Sequence, residues 1–396
     1  MRRKRESTAK RVRIAFLGLV FAFCSLVLLA LIALHLHPGV GSAALARSST
    51  DIGARLENSL LNAKAEALSG IAAIRKHYVI PEDALSAPVP NPDGFGTLAI
   101  SEAEKLLPVI EKARASGLLD GEELLFDPHA DFYHDSFIGY YYDETILMIL
   151  WKEVIDGNTC TCMEVKIADA SQMRRKIAED TLGSPVWVYA SELAATVNPV
   201  VALNADFYMF RDFGIVAYQR QLWRMDESTY TGQYKKYNCI ETCLIDEEGD
   251  FHFTHLLEPY TRSEMQQYID ENRIVFSLSF GPVLVENGEV KTCNWYPAGE
   301  PDVGNSRAGI AQLGKLHYYY LGVNHSPEKA ALWTINDLAR AFYNKGVPNA
   351  YGLDGGQTVE VLFRGIPYNY IEYNAERAVS DILYFASAIP ESEVRP

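Results

Sequence analysis

The stretch 334–363, TINDLARAFYNKGVPNAYGLDGGQTVEVLF, limits the folds open to this chain more than any other. Thr334 followed by Asp337 is a capping box, in which each side chain satisfies a backbone N–H at the start of a helix. Ile335, Leu338, Ala339 and Phe342 then recur at helical spacing and share one face. Gly346 provides a left-handed stop and Pro348 prevents resumption. A short apolar, aromatic strand, Asn349–Leu353, follows and runs into Asp354-Gly355-Gly356. A carboxylate at a strand end, beside two residues without side chains, lets a ligand approach the backbone closely. The same three residues also suit a hairpin turn.

The amino-terminal residues constrain topology. Residues 1–13 hold seven Lys/Arg and one Glu, and 14–36 contain no Asp, Glu, Lys or Arg. As a helix, that run spans about 34 Å, enough for a hydrocarbon core of ~30 Å. The basic flank belongs on the cytoplasmic side, so the globular part lies outside the cell membrane as a single-pass protein. Ala44-Leu45-Ala46 fits a signal-peptidase site, but the apolar run is longer than a cleaved signal's, so a retained anchor is expected. Net charge over the whole chain is −15; without the +6 of residues 1–13 it is −21. An exterior that acidic repels nucleic acid, which is excluded as a partner.

Six cysteines are present, with Cys24 in the anchor. The other five, Cys160, Cys162, Cys239, Cys243 and Cys293, are an odd set at spacings that match no zinc knuckle; they read as buried strand residues. His129, Asp131, His134 and Asp135 lack a regular spacing and read as a solvated loop. Tyr140–Tyr142 suit either sugar stacking or packing on the domain.

Residues 37–144 read as a tether and a helical and loop region, with helices at 54–78 and 101–116. From residue 145 strands dominate, with helices expected near 169–181, 190–196 and 261–272 and a closing strand at 380–385. Strands and helices without regular βαβ alternation predict an α+β domain over 145–390, mixed sheets flanked by helices, behind the transmembrane helix.

Four segments together resemble the phosphodiester glycosidase family, which includes the lysosomal uncovering enzyme. They are ALNADFY at 202–208, SFGPVLVENGEV at 279–290, NSRAGIAQLGKLHYYYLGV at 305–323 and GVPNAYGLDGG at 346–356, in the family's order. The resemblance covers roughly 145–387 and implies hydrolysis of a sugar-1-phosphodiester. It makes Asp354 the chief catalytic carboxylate. Asp206 is the natural second carboxylate, although the family often has glycine there, which leaves a positional role open. Asn204 would bind sugar hydroxyls or fix a loop. Phe207 and Thr358 complete the substrate contacts. Arg307 would clamp the phosphate with its planar fork, aided by the Gly355 and Gly356 amides. Gln357-Thr358 replaces the family's usual Gly-Ser-Ser after the glycines and bears on substrate and activity. No cofactor is required; a divalent cation could draw oxygens from Asp354, Asp206 and Asp302, with no recognisable binding loop. His317 and His325 match none of the family's motifs.

The expected function is a membrane-anchored exterior glycosidase acting on sugar-phosphodiester linkages of cell-envelope or exopolysaccharide glycans. The alternative is an inactive glycan-binding or envelope-assembly module of the same fold.

Overall fold

The capped helix at 335–344 and the strand that follows it occur as the spacing predicts. Thr334 Oγ1 accepts from the Asp337 amide, Asp337 Oδ2 accepts from the Thr334 amide, and Gly346 takes φ +72°. The computed structural model describes residues 78–79, 87–119, 121–131, 133–134, 136–182, 188–208, 214–225, 241–254, 261–294, 301–325 and 333–389. All of them belong to one unit, Asn58–Pro396. The basic tail, the anchor at 14–36, the tether and nearly all of the helix expected at 54–78 lie outside the described residues. Among the described residues no helix is long and apolar enough to cross a membrane.

Three larger sheets build the domain, beside a two-stranded one in which Tyr78–Val79 pairs with Thr181–Leu182, and each strand pair described is antiparallel. The largest has nine strands in the order Glu289–Val290, Val283–Glu286, Asn349–Leu353, Arg307–Gly314, His317–Val323, Asn158–Ile167, Ile146–Ile155, Phe137–Asp143 and Phe95–Ala99. A second sheet runs Ile366–Pro367, Val361–Phe363, Val201–Asn204, Asp381–Phe385 and Met173–Ile177. The third runs Gln221–Arg224, Val216–Tyr218, Ile274–Leu278, Cys243–Asp246 and Phe251–Phe253. With helices few and gathered on the outer faces, the architecture is α+β.

One apolar layer joins all three sheets, with Met148, Ile310 and Tyr351 from the first, Leu203 and Phe385 from the second, and Cys243 and Phe276 from the third. The opposite face of the nine-stranded sheet is covered by the helices Leu107–Ala115 and Ile335–Asn344, through Ile110, Leu338 and Phe342. Ala190–Ala194 covers the outside of the second sheet, and Arg262–Glu271 that of the third. Buried on both faces, His317–Val323 carries no alternation of polar and apolar residues. Burial on this scale contributes about 1.5–3 kcal/mol for each large apolar side chain, and the cysteines among the described residues are free.

The structure departs from the sequence expectation at one helix. The helix expected near 169–181 is the strand Met173–Ile177 between two short 3-10 turns. Met, Arg and Lys favour helix locally, but pairing with Asp381–Phe385 and an ion pair from Arg175 override that preference. The nine-stranded sheet also reaches into the segment before residue 145, because Phe95–Ala99 and Phe137–Asp143 are two of its strands. Of the two roles left open for Tyr140–Tyr142, the structure supports packing: Tyr141 is buried in the core, and Tyr140 and Tyr142 pack on the apolar cluster under the helices. Cys160, Cys162, Cys243 and Cys293 are buried free thiols; Cys239 lies outside the described residues. Among those residues no group of His, Cys, Asp and Glu is arranged to hold a metal.

Candidate active site

Two strands from different sheets end side by side, and the candidate site lies where they end. Asn349–Leu353 of the nine-stranded sheet delivers Asp354, and Val201–Asn204 of the second sheet delivers Ala205 and Asp206. The Asp354 amide donates to the Ala205 carbonyl at 2.9 Å, and Asn204 Nδ2 donates to the Asp354 carbonyl at 2.6 Å. Asn204 Oδ1 in turn accepts from the Glu360 amide at 3.2 Å. Both ends of the Asn204 side chain are therefore used to lock the strands together.

The Asp354-Gly355-Gly356 turn is not a hairpin, since Val361–Phe363 beyond it joins the second sheet. It carries the chain from one sheet to the other. A Cβ on Gly355 would stand 2.8 Å from the Ser306 carbonyl oxygen, and Gly356 adopts φ +69°. Neither position accommodates a side chain without strain or displacement. Thr358 Oγ1 donates to the Gly355 carbonyl at 2.9 Å, closing the turn. Gln357 Nε2 donates to the Ala375 carbonyl at 2.9 Å and ties the turn to the segment that precedes the closing strand. The departure from Gly-Ser-Ser thus places an amide inward, between two loops.

Asp354 itself is buried, with Oδ1 accepting from the Gly355 amide at 2.9 Å. Burial pushes its carboxyl up to about 7, opposed by the positive charge of Arg377 and by interaction with Thr358 and the Gly355 amide; the Asp206 charge adds to the rise. A carboxyl titrating near neutrality suits proton transfer.

Asp206 has a different environment. Oδ2 accepts from the Ser279 amide at 2.8 Å and from its hydroxyl at 3.1 Å, and lies 3.6 Å from Arg175 Nη2. Oδ1 accepts from the Phe207 amide at 2.7 Å. Arg175 also pairs with Asp381, whose Oδ1 accepts from the Asp206 amide at 3.1 Å. All three charged side chains are wholly buried. With both oxygens engaged, Asp206 fits the positional role left open from sequence, as a support for the strand ends, better than that of a second reacting carboxylate.

Arg307 is likewise occupied. Ala308 pairs with Leu353 across the sheet, which brings Arg307 alongside the Asp354 turn. Its guanidinium donates to the Trp333 carbonyl at 3.2 Å and to the Val303 carbonyl at 2.8 Å, and the residue is buried. The amides of Gly355 and Gly356 are also taken, by Asp354 Oδ1 and by the Ser306 carbonyl, each at 2.9 Å. Phe207 is half-buried and meets Phe280 edge-on. Asp302 is exposed. His317 is buried between Glu122 and Glu164 in the nine-stranded sheet, whereas the His325 amide donates to Ser306 Oγ on the site side.

Three residues at the site have no counterpart among the sequence candidates. Arg377 acts on Asp354 through its charge and lies over the Phe207 ring, 6.0 Å from its centroid. Glu360 is buried, and burial and the neighbouring Glu376 push its carboxyl up to about 8. Glu376 accepts from the Ser191 amide at 2.9 Å and its hydroxyl at 2.6 Å. A carboxylate set among Val359, Val361 and Leu362 was a legible signal for Glu360. Nothing local marks Arg377 apart from any surface arginine.

These strand ends and their turn fall inside one matched segment. Residues 200–386 match the phosphodiester glycosidase family. That span includes Asn204, Asp206, Phe207, Arg307, Asp354, Glu360 and Arg377, whereas Arg175 and four strands of the nine-stranded sheet precede it. No curated protein matches the chain. Among solved structures, the chain is similar to the catalytic domain of zebrafish N-acetylglucosamine-1-phosphodiester alpha-N-acetylglucosaminidase, auto-inhibited by its pro-peptide. That match has 15% identity, covers 61% of this chain and 83% of the other, and has a TM-score of 0.45. A hypothetical protein from Synechocystis shows 14% identity, 63% and 64% coverage and a TM-score of 0.45. A putative exported protein from Burkholderia pseudomallei shows 12% identity, 58% and 74% coverage and a TM-score of 0.38.

Proposed function

We propose that the chain is a membrane-anchored, extracytoplasmic phosphodiester glycosidase that cleaves the sugar C1–O bond of sugar-1-phosphodiesters in envelope or exopolysaccharide glycans. The observation that carries this reading is Asp354: a buried carboxyl at a strand end, titrating near 7, beside a glycine turn within the matched segment. A phosphate monoester is a good leaving group, so C1–O cleavage asks little of a general acid. It asks more of a group that activates water and offsets the positive charge growing on the sugar. The C1–O electron pair leaves on the phosphate oxygen. The water oxygen bonds to C1, and the proton it loses passes to the Asp354 carboxylate and then to solvent. The products are a sugar hemiacetal and a phosphate monoester. Asn204 and Asp206 position the strand ends, and Thr358 closes the turn.

Hydrolysis of a panel of sugar-1-phosphodiesters in ¹⁸O-labelled water tests this directly. Label in the sugar and none in the phosphate monoester is expected. Label in the phosphate would mean attack at phosphorus, and no turnover by folded protein would favour a glycan-binding module.

A further inference from the structure

A phosphodiester keeps one negative charge across the physiological pH range, so a protein acting on one needs a positive group beside the reacting carbon. Around Asp354 most of the candidates are already committed. The Gly355 and Gly356 amides donate within the turn, and Arg307 donates to the Trp333 and Val303 carbonyls. Arg377 differs. Its Nε is buried and, among the described residues, has no hydrogen-bond partner. Its contacts there are the Phe207 ring and the charge of Asp354. Leaving a buried guanidinium N–H unpaired is costly, and a bound anion would remove that cost.

The segment carrying Arg377 is also held from both sides. Two residues before it, the Ala375 carbonyl accepts from Gln357; next to it, Glu376 is bound by Ser191. Two residues after it, Val379 and Val188 exchange backbone hydrogen bonds. A guanidinium so placed needs little ordering when a ligand arrives.

We propose that Arg377, seated over the Phe207 ring, is the residue that receives the phosphate of the substrate, with Arg307 acting as a positioning residue for the neighbouring loops. The identity of the ligand rests on the glycosidase reading; the anion site itself does not. A consequence follows for Asp354. The charged groups acting on it are Arg377 from the segment before the closing strand and Asp206 from the adjoining strand end, while Arg307 Nη1 lies 3.9 Å from where a Cβ on Gly355 would stand. Asp206 is balanced by Arg175. An anion on Arg377 withdraws the charge that holds the Asp354 carboxyl down, so anion binding and protonation of Asp354 favour each other.

The test is a ³¹P NMR titration of dimethyl phosphate, a monoanion that does not titrate near neutrality, into the purified full chain and into R377Q, R377K and D354N. Wild type is expected to bind it. R377Q should weaken binding roughly ten- to a hundredfold, as loss of a charge-assisted pair does, and R377K by less. Wild type should bind more tightly at about pH 6 than at about pH 8, and D354N should show no such dependence. Unchanged binding in R377Q, or no binding by wild type, overturns the proposal. Because Arg377 Nε makes no hydrogen bond among the described residues, R377Q should keep the wild-type near-UV circular dichroism; loss of fold would also overturn it. Dimethyl phosphate bound without turnover of any sugar phosphodiester would remove the glycosidase reading and leave this one. Turnover with unaltered binding in R377Q would remove this one alone.

Discussion

Replacing Asp354 by asparagine should abolish turnover and at the same time stabilise the protein above neutral pH. The carboxyl rises from its ordinary 3.8 to about 7 on folding, chiefly through burial. Between these two values the folded protein holds a proton that the unfolded chain has released. Stability therefore falls as pH rises through that window and is flat above it. At ~1.4 kcal/mol for each tenfold change in proton affinity, the ceiling is about 4 kcal/mol. Asparagine keeps an oxygen for the Gly355 amide and carries no charge to bury. Urea unfolding of wild type and D354N from about pH 4 to pH 9 measures the effect. The variant should be more stable by about 2–4 kcal/mol at the alkaline end, and the gap should close toward about pH 4. A gap that does not change with pH, or a variant less stable throughout, would refute the assignment of a buried, near-neutral carboxyl. In wild type, the acid limb of kcat should sit at higher pH than that of kcat/KM, since bound phosphate draws charge from Arg377.

Further outcomes are expected elsewhere. Arg175→Met should destabilise the fold by about 3–5 kcal/mol in urea titrations, because Asp206 and Asp381 are left as uncompensated buried charges. Adding Asp206→Asn and Asp381→Asn to that variant should recover much of the loss. Gly355→Ala should cost about 1–3 kcal/mol and reduce turnover, since its Cβ would meet the Ser306 carbonyl and push the turn. Protease applied to intact cells should remove the globular part and leave a fragment containing 14–36; a soluble mature form beginning near Arg47 would show that the small-residue site is cleaved.

Local rules sufficed where a residue's partners lie close in sequence. The capping box at Thr334, the Gly346 stop and the strand into Asp354 were legible because each is settled within a few residues. The order of four short segments made the family resemblance legible as well. Asn204 and Asp354 were placed together on that basis, and the structure joins them through a hydrogen bond between strands of two sheets. Three-dimensional pairing decided the rest. Met173–Ile177 became a strand because Asp381–Phe385, two hundred residues later, offered it a ladder and Arg175 an acid. Asp206 was drawn into that network, and Arg307 was turned to backbone carbonyls, because buried charges and carbonyls must find partners wherever the chain brings them. Arg377 had no local mark at all. Its place beside Asp354 depends on Gln357, Ser191 and Val188, which only the folded sheets bring to it. Sequence determined which residues could turn, cap and alternate; the packing of three sheets decided which charges are spent on the fold and which one is left facing the site.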